Sequence, residues 1–159
     1  MNSTTEIVAR KQTKDRPRIG VAVLIVDGDG RLLLGRRAKE PNYGKWVIPG
    51  GGIEHGESWL EAARREIDEE TGLCVSIAAS QRPFIQEILT PTEHRLILFV
   101  TGSVIGGHLR AATDLLEAQF FSANELRHLA DISPVIEPVL AEFGWGSRAG
   151  EKQRFSEAR

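Results

Sequence analysis

What the chain lacks narrows its identity first. It has one cysteine, Cys74, so it can form no internal disulfide and offers no cysteine-based metal framework. A lone thiol fits a reducing compartment, and a cytoplasmic location is expected. No apolar run approaches the roughly 20 residues of a membrane span. The N-terminus lacks the apolar core of a signal peptide: it is polar through Thr5, and only Ile7-Val8-Ala9 is apolar. Charge of one sign is also missing. The net charge is -2, so the whole chain gives no electrostatic case for a nucleic acid polymer or an anionic membrane. There are no repeats, low-complexity runs or long linkers. What remains is 159 residues with 41% hydrophobic and 26% charged content, a composition that fits one globular domain with a core.

Along the chain, residues 1–17 read as a polar, mildly basic arm, 18–144 as the domain, and 145–159 as a polar tail. Ile19 to Val26 is β-branched and apolar and reads as a buried strand. Asp27-Gly28-Asp29-Gly30 supplies a turn, and Arg31 to Arg36 reads as the returning strand of a hairpin. Trp46 to Ile48 is a short strand before a glycine-rich loop. Ser58 with Glu61 makes a capping box, and Gly72 sits where a helix would stop. Leu60, Ala63, Ile67 and Thr71 would form the core-facing stripe of that helix. Strands are expected over Leu73 to Ala79, Phe84 to Leu89, Arg95 to Val104 and Ala118 to Phe121, with Gly106-Gly107 as a turn. Ser122 with Glu125 offers a second capping box. A C-terminal helix reaching Phe143 has to start late or kink, because Pro138 would sit too deep in it. Strands dominate, with one long helix midway and helical material at the end, which indicates a mixed α/β or α+β sandwich.

The chemistry concentrates in Gly51 to Leu73, GGIEHGESWLEAARREIDEETGL. Spacings of three and four bring Glu66, Glu69 and Glu70 to one side of the helix. Three carboxylates repel one another unless a cation is near, and Arg65 pairs with Glu69 at the i,i+4 spacing. An oxygen-only donor set without His or Cys selects a hard divalent ion, Mg²⁺ or Mn²⁺. Such ions bind phosphates and activate water. The plain alternative is a solvated charged helix face.

The full spacing decides between them. Gly51, Glu57, Arg65-Glu66-Ile67, Glu69-Glu70 and Gly72-Leu73 occupy every fixed position of the Nudix box. At average composition, chance gives roughly one such match in a billion windows. The flanking Gly44, Trp46, Pro49, Gly50 and Gly51 fill a pattern common before that box, and the LLLGRR strand also looks like the family. From about Ile19 to Phe143 the chain resembles a Nudix hydrolase.

The resemblance implies an α/β/α sandwich around a mixed sheet, with the box as a loop-helix-loop. It implies metal-dependent cleavage of a nucleoside diphosphate linked to another group. Glu66, Glu69 and Glu70 would ligate the metal, with the Gly50 carbonyl adding another ligand. Arg65 would orient the carboxylates, and Glu57 would bridge to Arg65 or to a metal-bound water. An acid inside or outside the box would deprotonate the attacking water. Glu117 is the first choice outside it, with Glu87 and Glu93 as alternatives; each is also readable as a surface carboxylate.

Substrate contacts are expected from Arg36 and Arg37 toward phosphate, from Trp46 stacking on a base or filling the core, and from Tyr43 and Arg95 around a nucleoside. A proline about 15 residues past the box marks ADP-ribose hydrolases within the family. Here Pro83 comes earlier and Pro91 later. The compact chain and the GRR…GKW…PGG…GES run look more like the nucleoside triphosphate hydrolases of the family, so the expected substrate is a nucleoside triphosphate, cut to monophosphate and pyrophosphate. ADP-ribose or a nucleotide sugar is the alternative, and a non-catalytic nucleotide-binding module is the third reading. Nudix domains often dimerise, so a homodimer is compatible with the resemblance.

Overall fold

The computed structural model describes residues 16–146. Nearly all of the expected arm and tail lies outside these residues. The elements are β1 (Arg18–Val26), β2 (Leu32–Arg37), β3 (Trp46–Val47), β4 (Gly50–Gly52), α1 (Trp59–Thr71), β5 (Leu73–Ser76), β6 (Phe84–Thr90), β7 (Glu93–Gly107), β8 (Leu115–Phe121), α2 (Ala123–His128) and α3 (Glu137–Glu142).

The eight strands of the described residues belong to one mixed sheet. Its main path runs β3-β2-β1-β7-β5, with β4 on β1, β6 on β7 and β8 on β2. β1 is its centre. It pairs in parallel with β7 along its whole length, Arg18 with Arg95 through Val26 with Ser103.

Both faces of β1 are covered, which is why its sequence is an unbroken apolar run rather than an alternation. Val21, Val23 and Ile25 pack with Ala62, Ala63 and Ile67 of α1. Ala22 and Leu24 point the other way, into a cluster with Trp46, Phe99 and Phe121 closed by Leu126 of α2 and by Val139 and Leu140 of α3. Helices therefore cover both faces of the sheet, giving the expected α/β/α sandwich. Among the described residues no helix is long and apolar enough to cross a membrane.

Several elements differ from the sequence expectation. The Asp27 turn forms: its carboxylate accepts from the Asp29 and Arg31 N–H groups at 3.0 and 2.9 Å. Yet β1 and β2 pair only at Val26 and Leu32. Beyond the turn β2 leaves β1 and zips onto β8 instead. Gly106-Gly107 does not turn the chain but stays in β7, paired with Cys74 and Leu73 of β5. β7 reaches 15 residues by changing partner partway, from β6 to β5. The C-terminal helix starts late, at Glu137. Pro138 thus falls in the first turn, where its missing N–H breaks no helical hydrogen bond.

Candidate active site

Both ends of α1 form as the sequence predicts. The Ser58 hydroxyl accepts from the Glu61 N–H, and the Glu61 carboxylate accepts from the Ser58 N–H. Gly72 takes a left-handed φ of 70° and donates its N–H to the Asp68 carbonyl. The buried stripe differs slightly. Ala62 is fully buried where Leu60 was expected, and the stripe ends in Glu70 and Thr71.

The three helix carboxylates are therefore not equivalent. Glu70 is only 3% exposed, while the Glu69 side chain is 49% exposed. Burial pushes the Glu70 carboxyl up to about 8, against a single favourable hydrogen bond from the Gly50 N–H at 3.0 Å. The charges of Glu66 and Asp114 raise it further, and Arg37 opposes them. Glu66 is raised too, chiefly by burial, with Arg65 pulling it down and Glu69 and Asp114 adding to the rise.

The glycine-rich segment expected as a loop is strand β4, antiparallel to β1, with Gly52 opposite Gly20, Gly51 opposite Val21 and Gly50 opposite Ala22. Side chains are excluded there by contact. A Cβ on Gly51 would run into the Glu66 carboxylate, and one on Gly50 would run into the Val21 carbonyl and the Ala22 backbone. Gly50→Ala is accordingly expected to lose about 1–3 kcal/mol of stability, read as a lower urea midpoint with unchanged slope.

Arg65 holds the box together. Its Nε and Nη2 grip both oxygens of Glu57 at 2.6 and 2.9 Å. Nη1 reaches Glu66 at 2.9 Å and Glu69 at 3.3 Å, and Nη2 also donates to the Gly52 carbonyl at 3.0 Å. This fork pulls the Glu57 carboxyl down to about 2, with the Glu54 N–H helping, and holds the guanidinium firmly protonated.

An acid not anticipated from the sequence completes the group. The segment between β7 and β8 is strapped to the end of α1. The Arg110 N–H donates to the Thr71 carbonyl and the Ala112 N–H to the Glu70 carbonyl, both at 2.9 Å. The strap delivers Asp114 close enough for its charge to act on both Glu66 and Glu70. Lys39 pairs with Asp114 at 2.5 Å. Asp114 belongs to no motif, and the only signal in the sequence was an acid just before a strand.

A cleft of about 320 Å³ opens beside these acids. Glu70, Asp114 and Arg37 line one end, Arg18 and Arg95 the other, with Ile97 and Phe99 between. Of the candidate residues only Arg37, Gly50, Glu70 and Arg95 line it; Glu57, Arg65, Glu66 and Glu69 stay outside the lining in the Arg65 network, and four others lie away from it. Trp46 is 6% exposed and meets Phe121 edge-on at 4.9 Å between ring centroids, so its ring belongs to the core and offers no face to a base. Arg36 lies over the Trp46 ring and donates to the Gly44 carbonyl at 3.0 Å. Glu117, on β8 opposite Arg36, is half exposed and 3.8 Å from the Arg36 guanidinium. Tyr43 is 58% exposed on its loop. The alternative acids are engaged elsewhere, Glu87 with His94 at 2.8 Å and Glu93 with Arg95 at 2.6 Å.

The donor set suits a hard divalent ion. Glu66, Glu69, Glu70 and Asp114 offer oxygen only, and the burial and neighbouring negative charge that raise Glu66 and Glu70 are what a dication offsets. In this conformation, no three acidic, His or Cys side chains among the described residues converge as a preformed ligand cluster.

Comparison with known proteins agrees with this geometry. The NUDIX domain family model matches residues 16–143. A protein named ADP-ribose pyrophosphatase from Methanocaldococcus jannaschii is 38% identical over 106 residues, which cover 67% of this chain and 63% of the relative. The chain thus spans just under two thirds of that relative's length. A protein named RNA pyrophosphohydrolase from Erythrobacter litoralis is 30% identical over 132 residues, covering 82% of this chain and 76% of the relative. A MutT Nudix hydrolase from Burkholderia pseudomallei superposes with a TM-score of 0.69 at 24% identity, over 80% of this chain and 98% of that one. The box, the sandwich and the family match agree: the chain belongs to the Nudix hydrolases.

Proposed function

We propose that this chain hydrolyses the pyrophosphate linkage of a nucleoside 5′-polyphosphate, with Mg²⁺ or Mn²⁺ held by Glu66, Glu69, Glu70 and the Gly50 carbonyl and the nucleoside lying over the strand floor of the cleft. A triphosphate would be released as nucleoside monophosphate and pyrophosphate. The observation that carries this reading is the buried Glu70 carboxylate. It sits among like charges in the lining of a cleft large enough for a nucleoside. The bound ion would polarise the phosphoryl oxygens and acidify water. The protein's own part is positional. Arg65 aims Glu66 and Glu69, Glu57 fixes Arg65, and Arg37 faces the phosphate end beside Glu70.

Asp114, rather than Glu117, takes the proton of the attacking water in this proposal. It lines the cleft beside Glu70, with Lys39 as its ion-pair partner, whereas Glu117 lies outside the lining. Water oxygen bonds to phosphorus, the anhydride P–O bond breaks, and the proton passes to the Asp114 carboxylate.

A second reading, hydrolysis of ADP-ribose, draws on the relative that carries that name, although the proline spacing in this chain does not fit it. The RNA pyrophosphohydrolase name of another relative extends the candidates to RNA 5′ ends. One experiment separates these readings. The purified chain is incubated with Mg²⁺ or Mn²⁺ and a panel of nucleoside triphosphates, ADP-ribose, nucleotide sugars and 5′-triphosphorylated RNA, and products are resolved by chromatography. Turnover of none of them would leave a nucleotide-binding module.

Arg65→Lys tests the positioning role. An ammonium cannot reproduce the fork on Glu57 and Glu66. The expected loss is about 10- to 100-fold in kcat or in apparent metal affinity, measured by metal titration of steady-state turnover.

A further inference from the structure

Gly20 and Ala22 of β1 lie opposite Gly52 and Gly50 of β4, so the floor of the cleft is almost bare of side chains. Contact that distinguishes one substrate from another therefore falls to its walls. On the β3 side the chain around Ser133 runs alongside that strand. The Trp46 N–H donates to the Asp131 carbonyl at 2.8 Å, and the Ser133 N–H to the Trp46 carbonyl at 2.9 Å. This brings Asn42, Val47, Ile48, Ser133, Val135 and Ile136 into the lining. None of these is charged. Phosphate meets no counter-charge among them, whereas an apolar surface with a few fixed polar groups suits a flat nucleobase.

Asn42 is such a fixed group. Its backbone is held at a φ of 72°, a left-handed conformation that asparagine and aspartate adopt more readily than other non-glycine residues. The Lys45 N–H donates to its carbonyl at 3.0 Å. The side-chain amide is held by Ser133, which is fully buried. The Ser133 hydroxyl accepts from the Val135 N–H at 3.3 Å and donates to Asn42 Oδ1 at 3.1 Å. A buried hydroxyl left without an acceptor is costly, and among the described residues Asn42 Oδ1 is the only acceptor it has. Turning the amide over would set N–H₂ against that hydroxyl and leave its hydrogen unused. The carbonyl end therefore stays toward Ser133, and the N–H₂ group points away from it. Among the described residues this group has no hydrogen-bond partner, and it is not one of the polar atoms sealed from solvent. The half-buried Asn42 thus brings to the cleft a group that donates and cannot accept.

We infer that Asn42 reads the nucleobase: its N–H₂ donates to an exocyclic carbonyl, and Ser133 is the positioning residue that keeps it turned that way. The inference rests on the pyrophosphohydrolase reading above and narrows its substrate class. Bases with a carbonyl at the contacted position, as in hypoxanthine, guanine, uracil and thymine, are preferred. Adenine and cytosine place an amino group at the same position, where two donors face each other and neither is paired. ADP-ribose carries adenine and is disfavoured by the same contact.

The test compares kcat/KM within two pairs, inosine with adenosine 5′-triphosphate and uridine with cytidine 5′-triphosphate. The members of each pair exchange a carbonyl for an amino group on a ring of the same shape. The carbonyl member of at least one pair is expected to exceed its counterpart by about tenfold or more, mainly through KM. The pair with the larger ratio identifies the base as purine or pyrimidine. Asn42→Asp retains the left-handed backbone and an oxygen for Ser133 but offers the base an acceptor, so it should reverse the preference. Ser133→Ala frees the amide to turn and should bring the ratio toward one. Each readout is a ratio within one preparation, so a loss of folded protein does not alter it. Wild-type ratios of one or below in both pairs would overturn the inference, as would Asn42→Asp slowing both members of each pair in proportion. An Asn42→Asp effect on the ratio of ribo- to deoxyribonucleotide, in place of the base ratio, would also overturn it by assigning the contact to the ribose. A binding measurement keeps the inference independent of turnover. Without metal, inosine or uridine monophosphate should bind about tenfold tighter than its amino counterpart by calorimetry. That result with no hydrolysis of any substrate would refute the activity and retain the base contact, whereas equal binding in both pairs would refute the base contact alone.

Discussion

Glu70→Gln is expected to lower kcat by about a thousandfold or more while the chain stays folded. The amide keeps the shape of the carboxylate and can still accept from the Gly50 N–H, so packing around β4 survives. The charge that would face a cation at the cleft's end is lost. Steady-state turnover with saturating metal reads the effect, and wild-type kcat in this variant would sink the metal assignment. The same variant carries a stability signature. In chelator, the Glu70 carboxyl titrates near 8 when folded and near 4.5 when free. Between those values the folded protein holds a proton that the unfolded chain has released, so stability is greatest below the free value and falls as pH rises through the window. Glu66 is shifted in the same direction. Glu57, held near 2, acts oppositely and only at acid pH, losing its contribution as pH falls from about 4.5 toward 2. The metal-free thermal midpoint should therefore drop between about pH 5 and pH 8, and Glu70→Gln should flatten most of that slope. A wild-type midpoint independent of pH across the window would contradict the burial of a titrating carboxyl at this site.

Asp114→Asn should cost about 100-fold or more in kcat with little change in KM, the usual scale for loss of a positioned general base. Glu117→Gln serves as the comparison and should stay within about twofold, since its partner Arg36 stabilises a surface pair of small energetic weight. The pH profile adds a second readout. Asp114→Asn leaves a residual rate that climbs with hydroxide concentration, because hydroxide needs no base to remove its proton. Equal losses at 114 and 117, or a loss at 117 alone, would return the assignment to Glu117.

The parts of the site governed by local spacing were legible in the sequence. Ser58, Glu61 and Gly72 set the bounds of α1 through capping chemistry that needs only neighbouring residues. The Arg65 contacts to Glu66 and Glu69 follow from helix geometry. Periodicity could not rank the three glutamates. Glu70 falls on the buried stripe with Ile67 because Ala62 and Ala63 let the helix sit close to β1. Trp46 illustrates the opposite limit. Its apolar body and indole suit a base platform or a core equally well, and only the approach of Phe121 from β8 decides for the core. Asp114 was invisible for a related reason. Its position depends on two backbone hydrogen bonds from Arg110 and Ala112 to the end of α1, and such bonds leave no side-chain signature. The register that aligns Arg18 with Arg95 likewise joins segments far apart in sequence.

β1 divides its duties by parity. Odd positions, Val21, Val23 and Ile25, back the helix that carries the box, and even positions, Gly20 and Ala22, floor the cleft. Chemistry and molecular preference are thus inherited through different residues of one strand. A lineage can alter the even positions and their neighbours on β7 without disturbing the packing beneath α1. That separation gives a physical basis for relatives that are 38% and 30% identical to this chain yet carry names as different as ADP-ribose pyrophosphatase and RNA pyrophosphohydrolase. It also makes the even face the natural place to begin when retargeting this scaffold to a new nucleotide.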